Sequence, residues 1–229
     1  MSKLYIIATP IGNLNDITLR ALEALKSVDL ILCEDMRVAQ KLLNHFEIKK
    51  PLQSYHQHSD LRKIDYIVGI LKEGKDIALI SDSGTPGISD PGNQLIQFLI
   101  TKYKLQTTII PVPGPSAITA IASIAGISMD KFLFLGFPPH KKGRQTTFKE
   151  ISESKYPVII YESVHRIIKT LKELQALYDF DIVVGRELTK KFETIYRGKI
   201  SEVINQIEPR GEFVIIIPPL AGQVKKHEK

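Results

Sequence analysis

LYIIATPIGNLNDITLRALEALKSVDLILCED, residues 4–35, places a segment of helical period between two short apolar runs. LYIIA (4–8) and DLILCED (29–35) are strand-length, and Ile and Leu dominate them. Between them, ITLRALEALKSV (17–28) carries Leu19, Leu22, Leu25 and Val28 at three-residue steps, which predicts one buried helix face. A strand, a helix and a second strand in this order predict a parallel sheet covered by helices.

The alternation continues outward from this unit. Helical MRVAQKLLNHF (36–46), a weaker strand PLQSYH (51–56), helical LRKIDYIVGILKEG (61–74), strand IALISDS (77–83), helical NQLIQFLITKY (93–103) and strand TTIIPV (107–112) follow. PVPGPSA (111–117) then interrupts with three prolines and a glycine, a stiff bend that predicts a domain boundary. Beyond it come ITAIASIA (118–125), KFLFLGF (131–137), the polar HKKGRQTTFKE (140–150), PVIIYES (157–163), VHRIIKTLKELQALY (164–178), FDIVVGREL (180–188), ETIYRGKI (193–200), SEVINQI (201–207) and GEFVIIIP (211–218). The predicted fold class is α/β, with two α/β domains over 1–112 and 113–220 and a disordered basic tail over 221–229.

Composition narrows the function classes. With 229 residues, 43% of them hydrophobic, the chain buries a core without staples. Its single cysteine, Cys33, excludes a disulfide scaffold and a cysteine-ligated metal cluster, and its place in an apolar strand predicts a buried small residue. No apolar run approaches the ~20 residues a membrane span needs, and Met1-Ser2-Lys3 leads into a strand; a soluble, cytoplasmic protein is expected. The net charge is +6, divided as +1 over 1–112 and +5 over 113–229. Such an excess suits an acidic partner such as RNA and equally a soluble protein with a basic tail.

In open α/β sheets ligands sit at the carboxyl ends of the strands. Four loops there are unusual: TPIGNLND (9–16), CEDMR (33–37), SDSGTPGISDPG (81–92) and VPGPSA (112–117). No GxxxxGK[ST], no GxGxxG after the first strand and no GxSxG occurs, so P-loop, dinucleotide and hydrolase chemistries lack support. In the third loop Gly84 and Gly87 let backbone approach a ligand, and Asp82 accepts hydrogen bonds; the same residues also make a long structural turn in which Asp90 caps the next helix. His56 and His58 alternate on one strand face, but no third ligand accompanies them and no metal is expected.

IATPIGNLNDITLRALE, SDSGTPGISDPG, VPGPSA, FLGFPP, YESVHR and RELTK, in that order, resemble the bacterial small-subunit ribosomal RNA 2′-O-ribose cytidine methyltransferases, within the tetrapyrrole-methylase fold family. The resemblance runs from Leu4 to Pro219. It implies two α/β domains holding S-adenosylmethionine in a cleft between them, as a homodimer acting on 16S rRNA of the small ribosomal subunit. Carried over position by position, it implies cofactor contacts from Pro10, Asp82, Gly84, Thr85, Ile88, Ser116, Ala117, Tyr161 and Leu188. Met36, Ser83 and Val164 depart from the family's usual Thr, Ala and Pro.

Methyl transfer to a ribose hydroxyl needs alignment of the attacking oxygen and help with its proton. The ionisable residues at strand ends are Glu34, Asp35 and Arg37; Glu162, His165 and Arg166; and Arg186, Glu187 and Lys190. Of these, Lys190 suits a developing alkoxide and Glu187 suits orienting it or accepting the proton, while a salt-bridge network accounts for the same residues. Arg37, Lys141, Lys142 and Arg144 are the candidate RNA contacts, a solvated helix start being the other reading of 140–144. Two further functions stay open at this point: a methylase of tetrapyrrole precursors, and a non-catalytic RNA-binding assembly factor of the same fold.

Overall fold

A computed structural model describes residues 2–56, 61–90, 92–104 and 106–219. His58 and the tail over 220–229 lie outside the described residues. The chain forms two compact units, Met1–Ser116 and Ala117–Lys229.

The first unit is a five-stranded sheet, β1 (Lys3–Ile7), β2 (Leu30–Cys33), β3 (Leu52–Ser54), β4 (Ile77–Ile80) and β5 (Thr108–Val112), in the order β3-β2-β4-β1-β5. Every pairing is parallel. Because successive strand residues point to opposite faces, Ile7, Ile31, Ala78 and Ile80 pack under α1 (Leu19–Ser27) and α2 (Met36–His45). Leu4, Leu30, Leu32, Ile77 and Leu79 pack under α3 (Leu61–Lys72) and α4 (Gly92–Gln97) on the other face. A π-helical turn over Phe98–Lys102 extends α4. Thr18 starts α1, its hydroxyl accepting from Ala21 N at 3.1 Å.

The buried face of α1 differs from the expected one. Leu25 and Val28 are fully buried with Ala21 and Ala24, but Leu19 is 79% exposed. Three-residue steps turn the helix by about 300° each, so over nine residues the direction reverses. The buried set follows i, i+3, i+4, i+7 instead.

The second unit has α5 (Ala117–Ser123), β6 (Leu133–Phe134), α6 (Arg144–Glu153), β7 (Val158–Ser163), α7 (Ile167–Leu177), β8 (Asp181–Arg186), β9 (Thr194–Lys199), α8 (Ile200–Gln206) and β10 (Glu212–Ile217). Its sheet runs β6-β7-β10-β8-β9. Only β6 and β7 are parallel; the other pairings are antiparallel, unlike the first unit. The seven residues between β8 and β9 are too few for a parallel crossover, which takes about a dozen or more. Phe148, Leu171, Leu174 and Val203 of α6, α7 and α8 bury Val158, Ile160, Val184 and Ile215 on one face.

Candidate functional site

Strand connections set the place. From β1 and β2 the chain travels toward β3's edge, and from β4 it travels toward β5. The neighbours β2 and β4 therefore send their following loops apart, and the crevice at their carboxyl ends is where such sheets take ligands.

The loops at this edge are stitched together by main chain. Thr9 N donates to Gly84 O at 2.9 Å and Gly84 N returns the bond to Thr9 O at 3.1 Å. Thr9 Oγ1 donates to Ser81 O at 3.0 Å, and Ser81 Oγ donates to Ser83 O at 3.0 Å. Thr85 Oγ1 donates to Pro115 O at 3.3 Å, and Ala8 N donates to Val112 O at 3.1 Å. Gly84 has φ +81°, a left-handed conformation that a side chain there would strain. Three of the four loops singled out in the sequence thus form one rigid rim. Within it Pro10 is half-buried, Thr85 half-buried and Ile88 44% exposed. Ser116 and Ala117 close the VPGPSA segment, Ala117 opening α5. Asp90 Oδ1 accepts from Gly92 N, the first residue of α4, at 2.9 Å and from Gly87 N at 2.6 Å, the turn-and-cap role its sequence allowed.

The rim is acidic. Asp35 N donates to Asp82 Oδ1 at 3.0 Å, and the Asp35 carboxylate caps α2, accepting from Arg37 N at 2.8 Å. The Arg37 guanidinium folds back onto that carboxylate at 2.6 Å and holds its pKa down at about 2. Exposed pairs of this kind contribute little, so Arg37, with its side chain 88% exposed, remains available to a partner. Glu34 makes no hydrogen bond or ion pair among the described residues. Partial burial, then the Asp90 and Asp82 charges, pushes its pKa up to about 7. Burial also raises Asp82, though the Asp35 N–H opposes the shift. Cys33 is buried, and burial together with Asp82, Asp35 and Glu34 pushes its thiol up to about 11, which removes it as a nucleophile.

A pocket of about 170 Å³ opens beside the rim. Pro10 and Leu14 form one wall, Val38 and Leu42 of α2 another, and Ile80 and Asp82 lie at the end of β4. No motif points to it, because the α2 positions read as an ordinary amphipathic helix.

In the second unit, two left-handed non-glycine residues, Glu187 (φ 51°) and Thr189 (φ 67°), flank Leu188 in RELTK. Each such residue costs about 1–3 kcal/mol, and these outliers cluster at active sites and clamps. The Thr189 hydroxyl oxygen is buried with no hydrogen-bond partner among the described residues. Lys190 Nζ donates to Glu187 Oε1 at 2.9 Å and to Glu212 Oε2 at 2.8 Å, and Glu212 N donates to Glu187 Oε1 at 2.9 Å. Burial raises the Glu187 carboxyl, but the hydrogen bonds from Lys190 and Glu212 N outweigh it and leave it below its usual range. Burial lowers Lys190, and its bonds to Glu212 and Glu187 reverse this, leaving it above its usual range. Glu187 is thus an orienting group for a charged Lys190, and poorly suited to taking a proton near neutral pH. Leu188 is 8% exposed, its side chain close to Gly185, so any ligand contact it makes falls to its main chain. Tyr161 is half-buried against Phe134 and Phe137, with ring centroids at 5.0 and 5.4 Å, and burial pushes its hydroxyl up to about 12.

YESVHR, HKKGR and FLGFPP meet in a buried polar network. Arg144 donates to Glu173 Oε2 at 2.7 Å, Thr170 Oγ1 at 2.7 Å and Pro139 O at 3.1 Å. Thr170 Oγ1 donates to Glu162 Oε2 at 2.5 Å, and Arg166 Nε meets Glu162 Oε1 at 2.9 Å. Glu162 and Arg166 are therefore the salt-bridge alternative. Arg144 is 6% exposed with every side of its guanidinium engaged, so as a phosphate contact it is corrected to an internal clamp. Lys141 and Lys142 stay exposed just before α6.

The tetrapyrrole (corrin/porphyrin) methylase family matches this chain over residues 3–204. The chain belongs to this family. A Thermotoga maritima protein named "Ribosomal RNA small subunit methyltransferase I" is 41% identical over 95% of this chain and 98% of its own length. Proteins of the same name from Mycoplasmopsis pulmonis and Escherichia coli O157:H7 are 46% and 41% identical, covering 94% of this chain and 97% and 77% of theirs. Among solved structures, the methyltransferase CobJ superposes with TM-score 0.70 at 18% identity, each chain covered to 95%. Uroporphyrin-III-C-methyltransferase from Thermus thermophilus superposes with TM-score 0.65 at 13% identity over 98% of this chain and 97% of its own. Among the described residues, no helix is long and apolar enough to cross a membrane.

Proposed function

We propose that this chain transfers a methyl group from S-adenosylmethionine to the 2′-hydroxyl of a cytidine in 16S rRNA of the small ribosomal subunit. The observation that carries the reading is full-length similarity, 41% and 46% identical over nearly the whole of both chains, to proteins named for small-subunit ribosomal RNA methylation. The rim suits the cofactor: Asp82 and Asp90, whose charges help to raise Glu34, give a negative field for a cationic, phosphate-free ligand, and the loops hold no phosphate cradle. Bound there, S-adenosylmethionine supplies an activated methyl group.

Pro10, Asp82, Gly84, Thr85, Ile88, Ser116 and Ala117 are the proposed cofactor contacts on the first unit. Tyr161 and the Leu188 main chain join them on the motif resemblance alone. Lys190, held charged by Glu187 and Glu212, steadies the negative charge that develops on the acceptor oxygen. Glu187 positions it. Lys141, Lys142 and Arg37 meet RNA phosphates. A homodimer working in the cytoplasm completes the proposal.

The test is labelled S-adenosylmethionine with small ribosomal subunits, naked 16S rRNA and a tetrapyrrole precursor, followed by nucleoside analysis. Label recovered as 2′-O-methylcytidine is expected. Label in the tetrapyrrole alone overturns the reading, and cofactor binding with no transfer favours an assembly factor. Glu187→Gln and Lys190→Ala should each slow transfer; wild-type rates in both sink the catalytic assignment.

A further inference from the structure

The pocket between the β1 loop and α2 is lined by Pro10 and Asp82, whereas Gly84, Thr85 and Ser116, also proposed as cofactor contacts, are not among its lining residues. Its volume, about 170 Å³, falls below the roughly 300 Å³ at which pockets for whole small-molecule ligands begin. That size suits a single flat ring. The walls are apolar, and two of their members, Leu14 and Val38, remain 37% and 38% exposed with nothing over them among the described residues.

Polar capacity at the pocket is sparse and specific. The hydroxyls of Thr9 and Ser81 are spent on main-chain carbonyls. Lys41 is exposed on α2 and makes no hydrogen bond or ion pair among the described residues. It lies one turn beyond Arg37 on the same helix face, and of the two cations Lys41 is the one that lines the pocket. An apolar slot for a ring with an unspent cation at its rim matches a nucleotide, base inside and phosphate outside.

We propose that this slot seats the acceptor nucleotide, its base between Leu14 and Val38 and its phosphate on Lys41. The inference rests on the RNA-methyltransferase reading, and it follows from a requirement of that reaction: the acceptor must lie beside the cofactor. The slot shares Pro10 and Asp82 with the proposed cofactor contacts, which satisfies it.

The full chain tests this with two variants and two probes. Val38→Trp fills the slot from an exposed first-turn position, and Lys41→Glu reverses an exposed charge. S-adenosylmethionine binding is measured by calorimetry, and small-subunit and 16S rRNA binding by filter retention with S-adenosylhomocysteine present. Both variants should weaken RNA binding about tenfold or more while S-adenosylmethionine affinity stays within about twofold; Lys41→Ala should lower the salt slope of binding by about 1. If Val38→Trp instead weakens S-adenosylmethionine binding and spares RNA, the slot is the cofactor's and the proposal falls. RNA binding unchanged in both variants of an active enzyme also overturns it. A wild-type chain that binds S-adenosylmethionine but neither binds nor methylates small subunits or 16S rRNA overturns the underlying reading, and this inference with it.

Discussion

Arg144→Ala separates an internal clamp from an RNA contact. The Arg144 side chain is 8% exposed, and its removal orphans the Pro139 carbonyl and takes one donor from the Thr170 hydroxyl. Leaving a buried acceptor unmet costs about 1–3 kcal/mol. The Glu173 partner is 35% exposed, so its ion pair is screened and adds well under what a fully buried pair would. Stacking of the guanidinium over Phe148, at 5.0 Å from the ring centroid, adds about 0.5–2 kcal/mol. A total near 2–4 kcal/mol is expected, since these contributions overlap. At about 4 °C per kcal/mol for a unit of this size, the melting temperature of the second unit should drop by roughly 8–16 °C. The assay is thermal unfolding followed in parallel with the salt dependence of small-subunit binding. Lys141→Ala is the control, expected to lower the salt slope by about 1 with no change in melting. If Arg144→Ala melts with wild type and lowers the salt slope, the guanidinium faces RNA and the clamp argument is refuted.

Three further outcomes follow from the geometry. Glu34 has its pKa raised to about 7, so the stability its protonated form contributes is present below the ordinary carboxylate range and is lost as pH rises through 7. Glu34→Gln should therefore raise the melting temperature at pH 8 and leave it unchanged at pH 4; curves parallel to wild type at every pH would contradict the burial. Gly211 has φ +83°, and a Cβ there would collide with the Glu187 carboxyl. Gly211→Ala should cost at least about 1–2 kcal/mol and displace Glu187 from Lys190, slowing methyl transfer, whereas wild-type melting and rate would refute that placement. Leu25→Ala should destabilise by about 2–4 kcal/mol and Leu19→Ala by less than about 0.5 kcal/mol in chemical denaturation. Equal effects would restore the three-step face.

The strands were legible because buried strands leave short Ile- and Val-rich runs, as in IALI (77–80) and VIII (214–217). Their direction was not. A run such as VIIYES carries the same apolar signal whether its neighbour is parallel or antiparallel, and only connection length distinguishes them; the short link from Arg186 to Thr194 was that signal. At the candidate site, the Gly- and Pro-rich loops were visible because positive φ and tight turns demand those residues. The clamp role of Arg144 is not legible in the sequence because its partners Thr170 and Glu173 are 26 and 29 residues away, and local charge pattern says nothing of such pairs. Lys41 is inconspicuous for the opposite reason: a lysine on an amphipathic helix looks solvated wherever it points. Glu187 and Lys190 were found from the strand end, but their division of roles depended on Glu212, a contact across strands.

The central position of β1 bears on how the chain is made. Lys3–Ile7 are synthesised before both of their neighbours in the sheet, Ile77–Ile80 and Thr108–Val112. At roughly 5–20 residues per second, several seconds pass before the first of those partners exists. Throughout that interval an apolar strand with two open edges awaits pairing, a hazard for sticking to other chains. Proteolysis of stalled nascent chains should find β1 protected only after Ile80 has cleared the exit tunnel; earlier protection would mean that another segment, or a chaperone, shelters it.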